Sequence, residues 1–248
     1  MRFLRTNQVL SDESELRIAP GEVHVWPLLL EDTAELRERS AELLDAEELQ
    51  RAARFHFERH QHAFVFGRGQ LRWLLARYCG VKGASLRFVS GSAGKPGLAP
   101  DQPIATRVSF NFTHSGGRAL LAVSDSGDVG VDLECHDRKT DVLSLAGNYF
   151  TASEHAAILA AEDKRCAFFD FWTSKEAVLK AHGMGLGIAL DAFSVPTPVA
   201  EQVGHVESLD LSQIDSGWFV RPLSCDAGWS AAVASRSQVM PVRVMGQI

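Results

Sequence analysis

Phe168-Phe169-Asp170-Phe171-Trp172-Thr173-Ser174-Lys175-Glu176-Ala177-Val178-Leu179-Lys180-Ala181 is the stretch around which the rest of the chain is organised. At about 100° per residue, Phe168, Phe171, Trp172, Val178 and Leu179 fall within one broad arc of a helix. Lys175 falls near the middle of that arc, where an unpaired charge is costly to bury. Glu176 and Lys180 lie on the shoulder of the arc, four residues apart and stacked on one side. Two readings are open. One is a core helix with an ordinary Glu–Lys pair and a Lys175 that snorkels to solvent. The other is a helix that places charge where a ligand needs it.

Working outward, the composition narrows the choice. A chain of 248 residues is long enough for one large domain or two small ones. With 46% hydrophobic and 23% charged residues it can build a core, which excludes a disordered chain. Its apolar runs fall well short of the roughly 18 residues of a membrane helix. The start, Met1 to Arg5, is followed at once by Thr6, Asn7, Asp12 and Glu13, so no signal peptide is expected. Cys79, Cys135, Cys166 and Cys225 are scattered without a C-x-x-C pair, which points to a cytoplasmic protein with reduced thiols and no structural zinc. The net charge of −6 argues against bulk nucleic-acid binding. Yet Arg51, Arg54, Arg59, Arg68, Arg72 and Arg77 crowd one stretch, which suits a small polyanion or a small acidic partner.

In chain order, Ala19-Pro20-Gly21 is a turn, and Val23 to Leu30 reads as a strand. Asp32 or Thr33 is placed to cap a short helix. Ser40 to about His60 has a helical pattern, and a second helix runs from about Gln61 to Tyr78, closed by Gly80. Leu86 to Val89 is a short strand. Gly91-Ser92-Ala93-Gly94-Lys95-Pro96-Gly97 is a glycine-rich turn without the G-K-[ST] ending of a phosphate loop. Val108 to Phe112 alternates as a strand and leads into Thr113-His114-Ser115-Gly116-Gly117, where a hydroxyl and an imidazole could face an anion. Arg118 to Ser124 and Val129 to Glu134 read as a hairpin across Asp125-Ser126-Gly127-Asp128. Thr151-Ala152-Ser153-Glu154 is a capping box that starts a helix to about Glu162, and Gly183 ends the Phe168–Ala181 helix. Residues 192–195, 203–209, 218–220 and 229–234 read as strands, and 235–248 as a tail without a clear element.

The strand Val129-Gly130-Val131-Asp132-Leu133-Glu134 carries the second chemical signal. Period two puts Val131 and Leu133 on one face and Asp132 with Glu134 on the other. Adjacent carboxylates repel unless solvent or a cation intervenes. That face is either solvated or a divalent-metal site, for which hard oxygen ligands without nearby cysteines favour Mg²⁺.

Gly130-Val131-Asp132-Leu133-Glu134, Trp172-Thr173-Ser174-Lys175-Glu176-Ala177 with Lys180, and Phe110-Asn111-Phe112-Thr113-His114-Ser115 upstream resemble the 4′-phosphopantetheinyl transferases of the surfactin-synthetase-activating type. Gly94-Lys95-Pro96 and the R-x-x-R-F of Arg51, Arg54 and Phe55 add to the likeness, which covers roughly residues 44–195. The resemblance implies an α/β (α+β) fold of two similar halves related by a pseudo-two-fold axis. Each half is a small, mainly antiparallel sheet packed with helices, and the active site lies at their junction. Residues 1–126 would be the N-terminal half with the coenzyme A phosphate contacts, and 127–248 the C-terminal half with the metal and catalytic motifs.

The activity implied is Mg²⁺-dependent transfer of the 4′-phosphopantetheine arm from coenzyme A to a serine of an apo acyl or peptidyl carrier protein, with release of 3′,5′-ADP; Mn²⁺ is a possible substitute. By resemblance, Asp132, Glu134 and Glu176 hold the metal, and Glu176 and Lys180 are catalytic. Arg51, Arg54, Lys95, Thr113, His114, Lys175 and Lys180 contact coenzyme A. Thr113 stands where the family usually has serine. Cys135-His136-Asp137 precedes Arg138 and Lys139 where many relatives place a basic residue sooner, so no role is carried over there. A monomer is expected, with no nucleic-acid or membrane partner. The alternatives are a degenerate module that binds coenzyme A or carrier, and a Mg²⁺-dependent phosphohydrolase that cleaves coenzyme A without an acceptor.

Overall fold

A computed structural model describes residues 1–5, 9, 15–30, 33–91, 94–102, 108–137, 139–184 and 187–246. Asp12, Glu13, Asp32, the Ser92-Ala93 part of the glycine-rich turn and Arg138 lie outside the described residues.

The first half opens with β1 (Val23–Leu29), followed by helices α1 (Ala34–Ala41), α2 (Ala46–Ala53) and α3 (Glu58–Cys79). Thr33 caps α1, accepting from the Leu36 amide. The stretch from Ser40 to His60 is not one helix. Asp45 accepts from the Glu48 amide while the Glu48 side chain accepts from the Asp45 amide. This reciprocal cap starts a new helix and leaves Leu43 and Leu44 in the turn before it. α3 stops at Gly80, whose φ of 65° is the left-handed end that glycine permits.

Next come β2 (Phe88–Ser90), β3 (Pro96–Leu98), β4 (Ser109–Ser115), β5 (Arg118–Ser124) and β6 (Val129–Cys135). β4 runs past Phe112, so Thr113 and His114 are strand residues. Gly116 and Gly117, at φ 48° and 77°, form a two-residue turn that joins β4 to β5 as a hairpin. Positive φ at both positions gives the turn a twist that matches paired strands. The hairpin expected between residues 118–124 and 129–134 does not form. Both edges of β5 are occupied, by β4 and by β1, so the chain crosses after Ser124 into a second sheet.

The second half continues with α4 (Val142–Tyr149), α5 (Ala152–Ala160), α6 (Lys164–His182), β7 (Phe193–Ser194), β8 (Gly204–His205), β9 (Glu207–Ser208), β10 (Phe219–Leu223), β11 (Trp229–Ser235) and β12 (Val242–Val244). The expected cap at Thr151 is present, and Gly183 ends α6 at φ 84°. Residues 203–209 are not one strand: β8 joins β10 and β9 joins β7. Buried Val206 separates them, its amide donating to the Trp218 carbonyl.

Two four-stranded sheets result, ordered β12-β1-β5-β4 and β6-β11-β10-β8, antiparallel apart from the parallel β1–β12 pair. The tail that carried no clear element thus supplies the outer strand of the first sheet. Leu71, Leu74 and Leu75 of α3 pack on Trp26, Leu28 and Leu121. Phe168, Phe171, Val178 and Ala181 of α6 pack on Val220, Ala232 and Ala234. Between the sheets, Val23, Val25, Leu120 and Ala122 meet Val131, Leu133, Ala231 and Val233. The layers therefore run helix, sheet, sheet, helix, the expected two-lobed α/β architecture.

Candidate active site

The site is set by how closely α6 crosses β6. A Cβ added to Gly130 would lie 2.0 Å from the Ala177 carbonyl oxygen and 2.3 Å from the Ala181 amide nitrogen. The glycine of G-V-D-L-E is therefore a steric requirement. It lets the helix backbone ride directly on the strand, and the small Ala177 and Ala181 keep the path open. Glu176 and Lys180, each next to one of these alanines, are brought over Asp132.

Val131 and Leu133 enter the core between the sheets, as period two requires, and Asp132 and Glu134 take the opposite face. That face is not solvated: Asp132 is 3% exposed and Glu134 9%. Asp132 Oδ1 accepts from Lys180 Nζ at 2.6 Å and from Thr113 Oγ1 at 3.1 Å. Lys180 Nζ also donates to Thr113 Oγ1 at 3.0 Å. Among the described residues, Asp132 Oδ2 is buried without a hydrogen-bond partner, an uncommon and costly state for a carboxylate oxygen. Glu134 Oε2 accepts from Ser115 Oγ at 2.8 Å. The Glu176 carboxyl is pushed above the usual range, first by burial, then by the Asp132 charge; Lys180 opposes this and Glu134 adds to it. The three carboxylates thus share one field. Among the described residues no three potential metal ligands are gathered into a ready-made cage.

The cation expectations divide. Lys180 is at the site, 29% exposed and paired with Asp132. Lys175 is not. Its ammonium is fully buried and bonds Glu154 Oε1 at 2.9 Å, the Leu190 carbonyl at 2.8 Å and the Phe193 carbonyl at 2.7 Å. Three acceptors use all three of its protons, so the expectation of a coenzyme A contact is corrected: Lys175 is a structural ion-pair residue. Glu154 also closes the α5 cap and accepts from the Val195 amide, which ties α5, α6 and the segment after α6 together.

Lys95 reaches across the junction and donates to the carbonyls of Val129 and Ala181, at 3.1 and 3.0 Å. Burial lowers its pKa, against the pull of Asp128. It lines a cavity of about 480 Å³ shared with Asp128, His182, Gly183 and the β2–β3 hairpin. His114 is open to solvent near the end of β4, yet the protein mass around it, and secondarily the Lys180 charge, lower its pKa. Arg51 and Arg54 are exposed at the end of α2, with the Arg51 guanidinium 5.3 Å from the Phe64 ring centre. Arg68 and Arg72 face inward instead. Arg68 pairs with Glu48, and fully buried Arg72 donates to Glu48, Asp45 and the carbonyls of Gly83 and Leu86. Asn111, Ser115 and Glu154 were missed as site or support residues. The signals for the first two were the polar alternation of Asn111, Thr113 and Ser115 and their place in the Phe110–Ser115 motif.

Two family profiles match this chain: "4′-phosphopantetheinyl transferase, N-terminal" over residues 33–126 and "4′-phosphopantetheinyl transferase superfamily" over 128–234. The chain is 38% identical over 173 residues to the 4′-phosphopantetheinyl transferase HetI of Nostoc sp. strain PCC 7120, covering 69% of this chain and 73% of that protein. It is 29% identical over 209 residues to the transferase Sfp of Bacillus subtilis strain 168, covering 84% and 88%. It is 38% identical over 131 residues to AcpT of Salmonella typhi, covering 50% and 65%. The chain belongs to the 4′-phosphopantetheinyl transferase superfamily. Its activity is accordingly the transfer of phosphopantetheine from coenzyme A to an apo carrier protein. No helix among the described residues is long and apolar enough to cross a membrane.

Proposed function

We propose that the chain is a transferase of the surfactin-synthetase-activating type in which Asp132, Glu134 and Glu176 hold Mg²⁺. One observation carries the metal reading. Asp132 Oδ2 is buried without a donor among the described residues, in a group of carboxylates whose charges already burden Glu176. Mg²⁺ keeps waters and takes phosphate oxygens beside one or two carboxylates, so a closed protein cage is not needed. The oxygen-only donor set suits Mg²⁺, or Mn²⁺ in its place. When bound, the ion offsets the charge that grows on the pyrophosphate as the P–O bond breaks.

The chain's own residues supply the rest. Lys180 turns its remaining donor toward a phosphate oxygen, in company with His114, Lys95, Arg51 and Arg54. The nucleotide end of coenzyme A lies against Lys95 and its cavity. The carrier serine oxygen attacks the phosphorus that bears the pantetheine arm, and 3′,5′-ADP leaves. Glu176, directly or through a water, accepts the serine proton. Residues 1–126 supply coenzyme A phosphate contacts, and 127–248 the carboxylates and Lys180. One chain furnishes both sides of the cleft, which supports a monomer. Four unpaired cysteines suit the reducing cytoplasm.

The test is incubation with coenzyme A and a panel of apo carriers of fatty-acid, polyketide and peptide type, read by mass. The carrier should gain the arm only with Mg²⁺ or Mn²⁺ present. Glu176→Gln should lower turnover by about 10²–10⁴-fold while coenzyme A still binds. Turnover near wild type in that variant would remove both roles given to Glu176. Cleavage of coenzyme A without acceptor would mark a hydrolase instead.

A further inference from the structure

We propose that Thr113 and Ser115 are positioning residues: donors from the first half that fix the orientation of Asp132 and Glu134 in the second. The proposal rests on reading those carboxylates as metal ligands. β4 is one outer strand of the first sheet, opposite β12, and β6 is one outer strand of the second. An outer strand normally leaves a row of backbone groups without partners. Here side chains of β4 take two of those of β6. The Val131 amide donates to Asn111 Oδ1 at 2.9 Å, and the Cys135 amide donates to Ser115 Oγ at 3.2 Å. Asn111, Thr113 and Ser115 alternate, so they share one face of β4, and all three are buried.

The hydroxyl protons have only one direction open to them. Ser115 Oγ already accepts from a backbone amide, which can only donate, so its own proton goes to Glu134 Oε2 at 2.8 Å. Thr113 Oγ1 already accepts from the Lys180 ammonium, which likewise only donates, so its proton goes to Asp132 Oδ1 at 3.1 Å. Each carboxylate is therefore held through one named oxygen by a donor whose orientation is set from behind. For Asp132 this leaves Oδ2, the oxygen without a partner among the described residues. Hydrogen-bonded outer partners of this kind orient metal ligands as well as stabilising them. Thr113 is then an aligner of Asp132 rather than a phosphate contact.

The experiment uses the full chain and Mn²⁺ as the probe, with free Mn²⁺ read by electron paramagnetic resonance in the absence of coenzyme A and carrier. Thr113→Val keeps the shape and removes the hydroxyl; Ser115→Ala does the same for the second donor. Each should weaken Mn²⁺ binding by about 10–100-fold, Thr113→Ser should retain it, and metal-free coenzyme A affinity should not change in Thr113→Val. Asn111→Ala removes a seam bond to backbone only and should keep Mn²⁺ affinity near wild type. Wild-type Mn²⁺ affinity in Thr113→Val and Ser115→Ala overturns the proposal. So does an equal loss in Asn111→Ala, which would make the effect one of general seam integrity. A Thr113→Val that loses coenzyme A affinity while keeping Mn²⁺ returns Thr113 to the phosphate. Asp132→Asn separates the two levels: if it leaves Mn²⁺ binding intact, the metal reading fails and the positioning role with it.

Discussion

Lys175 and Lys180 stand five residues apart on α6, and each ammonium lies against a carboxylate, yet their surroundings differ. Lys175 is fully buried and spends its three protons on Glu154 and two carbonyls. Lys180 is part-exposed at the junction and bonds Asp132 and Thr113. The difference lies in saturation. A cation whose donors are all used by a rigid frame holds that frame; one that keeps a donor toward solvent can exchange it for a ligand. Under the proposed function, two lysines of one motif are thereby divided between fold and chemistry.

The comparison breaks most visibly at Lys175. Lys175→Met strands Glu154 in the core and should destabilise the chain by about 3–5 kcal/mol, measured by denaturant unfolding, while the folded fraction keeps its KM for coenzyme A. Adding Glu154→Gln should recover much of the loss. A raised KM in folded Lys175→Met would return that lysine to the ligand. Lys180→Met should do the reverse. Its kcat/KM should fall by about 10²–10³-fold, with melting in excess Mg²⁺ near wild type; a large melting shift with turnover intact would make the two lysines alike.

Weaker effects sharpen the same division among exposed cations. Charge reversal at Arg51 or Arg54 should raise the KM for coenzyme A by about tenfold, in line with loss of a charge-assisted phosphate contact, and raise that for the carrier less. The opposite ranking would move both arginines to carrier docking. The smallest effect concerns His114. Burial and Lys180 depress its pKa from 6.5, so it is neutral at pH 7 and charges only as pH falls further. Metal-free coenzyme A affinity should therefore rise modestly from pH 7.5 to 5.5, and titration calorimetry on His114→Gln should show that rise gone.

Much of the site was legible because spacing encodes faces. Period two put Asp132 and Glu134 together, and the i,i+4 spacing put Glu176 and Lys180 together. The paired halves followed from the family resemblance. Lys175 was misplaced because its partners leave no pattern: Glu154 lies a helix away, and the other two acceptors are backbone carbonyls. Gly116-Gly117 carried no turn assignment of its own in the sequence, although two left-handed residues in a row make a tight hairpin. The seam escaped because Asn111 and Ser115 resemble the polar side of any half-exposed strand; only the meeting of two sheet edges gives them partners.

The strand β12 has a consequence for how the two halves are tied. Val242 pairs with Val23, so a segment that follows the whole second half completes the first sheet. Bringing such distant segments together carries a loop-closure cost of roughly 5 kcal/mol. Leu4 bonds farther along the same edge of β1, to Pro27 and Leu29, so two segments far apart in sequence share one strand's edge. Backbone pairing, and not side-chain packing alone, therefore fastens one half to the other.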